Sequence, residues 1–114
     1  METTPRIIGG TYEFTGAGLQ SPAPLDGLGY TVPSDKRSQL IYFRGGNSAD
    51  GLVSISLVRD GKPFRTFPIG AKAAMHVPLA VVEDLFPESN VQVFVAAPAG
   101  LSGEVVLDIG LVEI

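Results

Sequence analysis

Hydrophobic and polar positions alternate most clearly at the C-terminal end of the chain. In "GEVVLDIGLVEI", residues 103–114, Val105, Leu107, Ile109 and Leu111 make one face, with Asp108 and Gly110 on the other. In "VQVFVAA", residues 91–97, Val91, Val93 and Val95 alternate with Gln92 and Phe94. A period of two over such stretches predicts half-buried strands. "APAGLSG" between them reads as a hairpin loop. Near the N-terminus, "RIIGGTYEFT", residues 6–15, predicts a first strand with Tyr12 and Phe14 on one face. Gly9-Gly10 within it suggests a bulge or a close backbone approach.

Other stretches are less regular. Residues 16–35 hold Pro22, Pro24 and Pro33 among several glycines. They predict a long Gly/Pro-rich connection with one short edge strand near 29–32, and a loop of that length in a compact domain suggests a function or an exchanged arm. In "SQLIYFRG", residues 38–45, Leu40 and Tyr42 alternate with Ile41 and Phe43, so both faces are apolar. Such a strand is covered on two sides, or one side lies in an interface. Leu40, Tyr42 and Phe43 are therefore candidate interface residues. A strand is expected near 73–77. For "LAVVEDLF", residues 79–86, Pro78 could open a short helix, with Leu79, Val82, Leu85 and Phe86 on one side. A helical turn or irregular crossover is the favoured expectation there, while two β-branched residues and the stop at Pro87 also suit a strand.

"RDGKPF", residues 59–64, supplies a geometric deduction. Asp-Gly between apolar runs marks a two-residue hairpin turn. Arg59 then opposes Lys62, and Val58 opposes Pro63 at a non-hydrogen-bonded site whose N–H points outward. Proline is tolerated there only at a sheet edge. In strict register Leu57 would face Phe64, Ile55 would face Thr66, and Phe67 and Ile69 would land on the solvent side. Pro68 would interrupt the ladder. One extra residue near Arg65-Thr66 corrects both faults, so the pattern predicts a β-bulge. Arg59, Lys62 and Arg65 gather near the tip, a candidate contact for an anion or partner.

Together these readings give a single domain over residues 1–114. Its class is all-β: an antiparallel two-sheet β-sandwich, immunoglobulin-like or jelly-roll. About seven to eight strands are expected, with at most one short helical turn near 79–86. Ile55, Leu57, Val93, Val95, Leu107 and Ile109 are the predicted core.

Charge changes the picture modestly. Only 18% of residues are charged, against roughly 25% in a typical soluble domain, which suggests that part of the surface is covered by a second copy. The net charge of −4 is unevenly spread. Residues 36–72 carry seven cations against two acids, net +5, while residues 73–114 carry six acids and no Lys or Arg. Adjacent strands neutralising one another explain this, as would a basic patch meeting an acidic partner. A sequence pI near 4.7 disfavours nucleic acid.

Candidate chemistry is sparse. Cysteine is absent, which excludes thiolate metal sites and thiol catalysis. His76 is the sole histidine and reads as a strand residue. "GGNSADG", residues 45–51, spaces oxygen-bearing side chains but lacks the calcium-loop pattern and its bidentate acid; turn chemistry suffices. Glu83 and Asp84 would point apart on a strand. Asp108 interrupts an apolar run and should face solvent or pair with a basic strand residue. No cofactor or metal is expected. No apolar run is long enough to span a membrane as a helix and no signal peptide is visible, so a cytoplasmic protein is the expectation; a virion component would look the same.

The functional expectation is a non-enzymatic binding or assembly module, self-associating as a dimer or trimer. A small-ligand binder for carbohydrates or anions is the second reading. An enzyme with a site shared between subunits is the third.

Overall fold

The computed structural model describes residues 3–114, with residues 80–82 described by their backbone alone. Among the described residues are eight strands and no helix: β1 (Thr4–Thr15), β2 (Ala23–Thr31), β3 (Ser38–Asn47), β4 (Val53–Arg59), β5 (Lys62–Ile69), β6 (Ala74–Leu85), β7 (Asn90–Ala96) and β8 (Ser102–Glu113). They form two four-stranded antiparallel sheets, in the orders β1-β8-β3-β6 and β2-β7-β4-β5. Every connection except β4–β5 crosses from one sheet to the other. This is the jelly-roll, not the immunoglobulin-like, arrangement of a β-sandwich.

The core lies between the sheets. All six predicted core residues are buried, from Ile55, Val93 and Ile109 at 0% exposure to Val95 at 8%. Phe43 and Phe67 join the two sheets by stacking, with ring centroids 4.0 Å apart.

The β4–β5 hairpin follows the sequence deduction closely. Asp60 and Gly61 both adopt positive φ (49° and 85°), the requirement of a type I′ turn. Arg59 pairs with Lys62 and Val58 with Pro63; the register then shifts, and Leu57 pairs with Arg65. The extra residue is Phe64, one position before the expected site. Beyond it Ile55 faces Phe67 and Val53 faces Ile69, and both partners on β5 are buried. β5 is an edge strand, so the prolines interrupt no neighbour on its free side.

Four expectations need correction. The 16–35 connection contains the nine-residue strand β2, whose pairing with β7 breaks between Pro24 and Gly29. The residues that disguised it, Pro24 and the glycines, serve that break. Residues 79–86 are not a helical turn: β6 runs to Leu85. Leu40 pairs with Glu83 and Tyr42 with Pro78, so 79–82 bulge opposite Ile41 alone; Val82 lies outside the described side chains. "APAGLSG" is not a hairpin loop, because β7 and β8 belong to different sheets. Finally, Leu40 and Phe43 are core residues at 1% and 0% exposure and offer no interface surface. The cause is a one-residue bulge in β3: Leu40 pairs with Leu111 but Tyr42 with Gly110, leaving Ile41 extra. The bulge reverses the alternation, turning Leu40 and Phe43 inward together and Tyr42 outward.

The charge asymmetry is largely resolved inside the fold. Arg37–Asp84, Arg44–Asp108 and Arg65–Glu83 join the basic middle of the chain to its acidic end, at 3.3, 3.6 and 3.7 Å.

Candidate functional site

Antiparallel register lays the outer face of the β1-β8-β3-β6 sheet out in rows. One row holds Ile7, Gly110, Tyr42 and Pro78; the next holds Gly9, Asp108, Arg44 and His76; the third holds Thr11, Val106, Gly46 and Ala74. The first two rows bring together a phenol, a carboxylate, a guanidinium and an imidazole.

Tyr42 is the centre of this cluster. Its ring covers Gly110, where any side chain would run into it. Its hydroxyl donates to Asp108 Oδ1 at 2.8 Å, while Arg44 Nη1 lies 3.6 Å from Asp108 Oδ2. The Arg44 guanidinium sits 5.6 Å from the Tyr42 ring centroid. His76 meets the same ring edge-on, with centroids 6.0 Å apart. The hydrogen bond to Asp108, then burial, raises the Tyr42 phenol above its ordinary value, so it remains a neutral donor. Asp108 is thus held by two partners and is 36% exposed.

The third row opens into a groove of about 350 Å³, lined by Thr11, Gly46, Ser48, Lys72, Glu104 and Val106 among others. Its small residues, Gly46 and Ala74, leave the sheet surface low. That volume suits a small ligand. Asn47 fixes the rim: Ala49 N donates to its Oδ1 at 2.9 Å, and its Nδ2 donates to the carbonyls of Gly51 and Gly70 at 2.9 and 3.1 Å. The glycine-rich loop is therefore organised by turn chemistry, as expected. A larger hollow of about 500 Å³, at the end of β1 and β8, is lined by Glu13 and Glu104 and no exposed ring. These carboxylates oppose one another across the strand pair, an unfavourable placement of like charges.

The basic hairpin does not form a convergent site. Arg59 donates to the Asp84 carbonyl at 3.2 Å and lies over the Phe64 ring. Arg65 is paired with Glu83 and lies over Phe67. Lys62 stands exposed beside the turn. The two arginines, one on β4 and one on β5, instead tie the hairpin of one sheet to the β6 edge of the other. Of the interface candidates only Tyr42 is at the surface. Asp108, expected from the sequence to face solvent or pair with a basic strand residue, pairs with Arg44. Arg44 and Gly110 were not singled out, although both face Asp108 or Tyr42 through register alone.

No family model and no curated protein matches the sequence. Solved structures do match the fold. The CBM36-1 domain of a multidomain xylanase, from the hindgut metagenome of Trinervitermes trinervoides, superimposes with a TM-score of 0.59 at 14% identity, covering 96% of each chain. A carbohydrate-binding module CBM36, solved with calcium and xylotriose, gives 0.58 at 20% identity over 94% of this chain and 97% of that one. A family 35 carbohydrate-binding module from Clostridium thermocellum gives 0.53 at 14% identity, over 95% and 97%. The likeness spans whole domains and shows a shared β-sandwich fold.

Proposed function

We propose that the domain is a non-catalytic module that binds neutral oligosaccharides on the outer face of the β1-β8-β3-β6 sheet. The observation that carries this reading is Tyr42, seated over Gly110 and fixed by Asp108. Sugars present apolar C–H faces and hydroxyls that each donate and accept. An aromatic ring beside a carboxylate and a guanidinium matches both properties. The adjoining groove supplies Thr11, Ser48 and Glu104 for further hydroxyls. That whole-domain likenesses include sugar-binding modules supports the reading. Among the described residues no three His, Cys, Asp or Glu side chains converge as metal ligands, and the proposal assigns recognition to the side chains themselves. Affinity electrophoresis through gels containing xylan, β-glucan or β-1,3-galactan tests it. At least one polysaccharide should retard the wild type more than Tyr42→Ala. Equal mobility in all gels would reject the reading.

Self-association through the same face is the second reading. Ile7 and Val106, both on that face, are 69% and 54% exposed. A dimer closed there would cover the Tyr42 site. Light scattering distinguishes the two: a monomer mass at micromolar concentration leaves the face open to a ligand.

A further inference from the structure

The break in β2 builds a second hollow, on the other sheet. Pro24 pairs with Phe94 and Gly29 with Gln92, so Leu25–Leu28 arch away opposite Val93 alone. Val93 consequently has no partner in β2. The arch is not slack: Leu25 and Leu28 are anchored in the core at 7% and 6% exposure. Asp26 and Gly27 form its crest, with Gly27 at φ 77° and open space around it, a conformation that favours glycine. Between arch and β7 lies a groove of about 420 Å³, lined by Asp26, Thr31, Asn90 and Gln92 among others.

The polar groups of this groove have a definite character. Asn90 is held in place: its Nδ2 donates to Thr31 Oγ1 at 2.9 Å, and its backbone N–H donates to Asp60 Oδ1 at 2.9 Å. Gln92 and Asp26 are exposed. The lining includes one carboxylate, two carboxamides and a hydroxyl, and no lysine or arginine. Tyr30 adds no phenol to the groove, because its hydroxyl is committed at 2.6 Å to Ser38 and Glu113. Such a mixture of donors and acceptors, without a cation, fits ligand hydroxyls, each of which both gives and takes a hydrogen bond.

We infer that this groove is a second binding site, for a neutral polyhydroxylated ligand, independent of Tyr42. Two sites on different sheets would let one domain hold two glycan segments and raise its avidity for a polymer. Titration of ¹⁵N-labelled protein with xylotriose, cellotriose and β-1,3-galactotriose tests the inference. For at least one sugar, the amides of Asp26–Gly29 and the side-chain amides of Asn90 and Gln92 should shift and saturate. They should do so equally in the wild type and in Tyr42→Ala. The double variant Asp26→Ala/Gln92→Ala should lose these shifts while keeping those around Asp108. Shifts around Asp108 with a silent arch would overturn the second site and leave the first standing. Arch shifts that vanish in Tyr42→Ala, or that arise with ethanolammonium but no sugar, would also overturn it.

Discussion

The Tyr30 hydroxyl donates a 2.6 Å hydrogen bond to the Glu113 carboxylate, across the two sheets. Glu113 continues the inward phase of β8 and is only 4% exposed, so the alternation that buries Leu111 also buries a charge. Arg6 reaches the other carboxylate oxygen at 3.1 Å. Ser38, fully buried, lies 2.6 Å from the Tyr30 oxygen, and because the phenol proton goes to Glu113, Ser38 is the donor in that pair. The latch joins β1, β2, β3 and β8 with every polar atom satisfied. Tyr30→Phe should cost about 1–3 kcal/mol, the penalty for leaving buried groups unpaired, read from urea unfolding at neutral pH. A loss under about 0.5 kcal/mol would mean the latch is solvated.

The same pair sets a pH dependence. The Tyr30 hydrogen bond, opposed by burial and aided by Arg6, holds the Glu113 carboxyl below its ordinary 4.5. A depressed carboxyl contributes stability that is full above 4.5 and lost as pH falls through its folded value. Burial, then the bond to Glu113, raises the Tyr30 phenol above 10.0. Its contribution is full below 10.0 and lost as pH rises through the folded value. Melting temperature measured from pH 7 down to 2 should fall less steeply in Tyr30→Phe than in the wild type. Parallel curves would contradict the coupling.

Leu107 tests the core. It is 2% exposed and sits in the middle of β8. Leu107→Ala should cost about 2–5 kcal/mol, as deleted core side chains do. A cost below about 1 kcal/mol in chemical denaturation would place the residue at the surface.

Asn47 tests the groove's rim. It is 5% exposed and bonds to two loop segments, 48–52 and 70–73. Asn47→Ala should destabilise by about 1–3 kcal/mol and release the amide protons of residues 48–51 to faster hydrogen exchange. Unchanged exchange would show that the loop holds its shape without the side chain.

What could be read from the sequence depended on whether a local pattern carried contrast. The bulge at Phe64 was legible because Phe67 and Ile69 fell on the wrong face beside polar neighbours, and two prolines added a second constraint. The bulge at Ile41 was not, because Leu40, Ile41, Tyr42 and Phe43 are all apolar and any register looks alike. That bulge decides which of them is buried and which reaches the surface, so Tyr42 was marked as a surface candidate for the wrong reason. β2 was mostly hidden because Pro24 and its glycines, which read as a loop, belong to an interrupted edge strand. The crossing of β7 to β8 between sheets depends on tertiary packing that no seven-residue loop declares. Site assembly was the least legible part: Asp108 was noticed as an interruption, but its meeting with Arg44 and Tyr42 comes from strand order alone. The inward Glu113 went unremarked because its partner, Tyr30, lies 83 residues away.

Sugar binding should centre on the Tyr42 face. Isothermal titration calorimetry with the oligosaccharide of whichever polysaccharide retards the domain tests it most directly, comparing wild type, Tyr42→Ala and Gly110→Ala. Gly110→Ala should displace the ring while leaving the phenol in the chain. The wild type should bind, and affinity at the Tyr42 face should fall at least tenfold when Tyr42 is removed (about 1.4 kcal/mol), with a loss of similar size in Gly110→Ala. Affinity unchanged in both variants would contradict this and move the site elsewhere on the molecule.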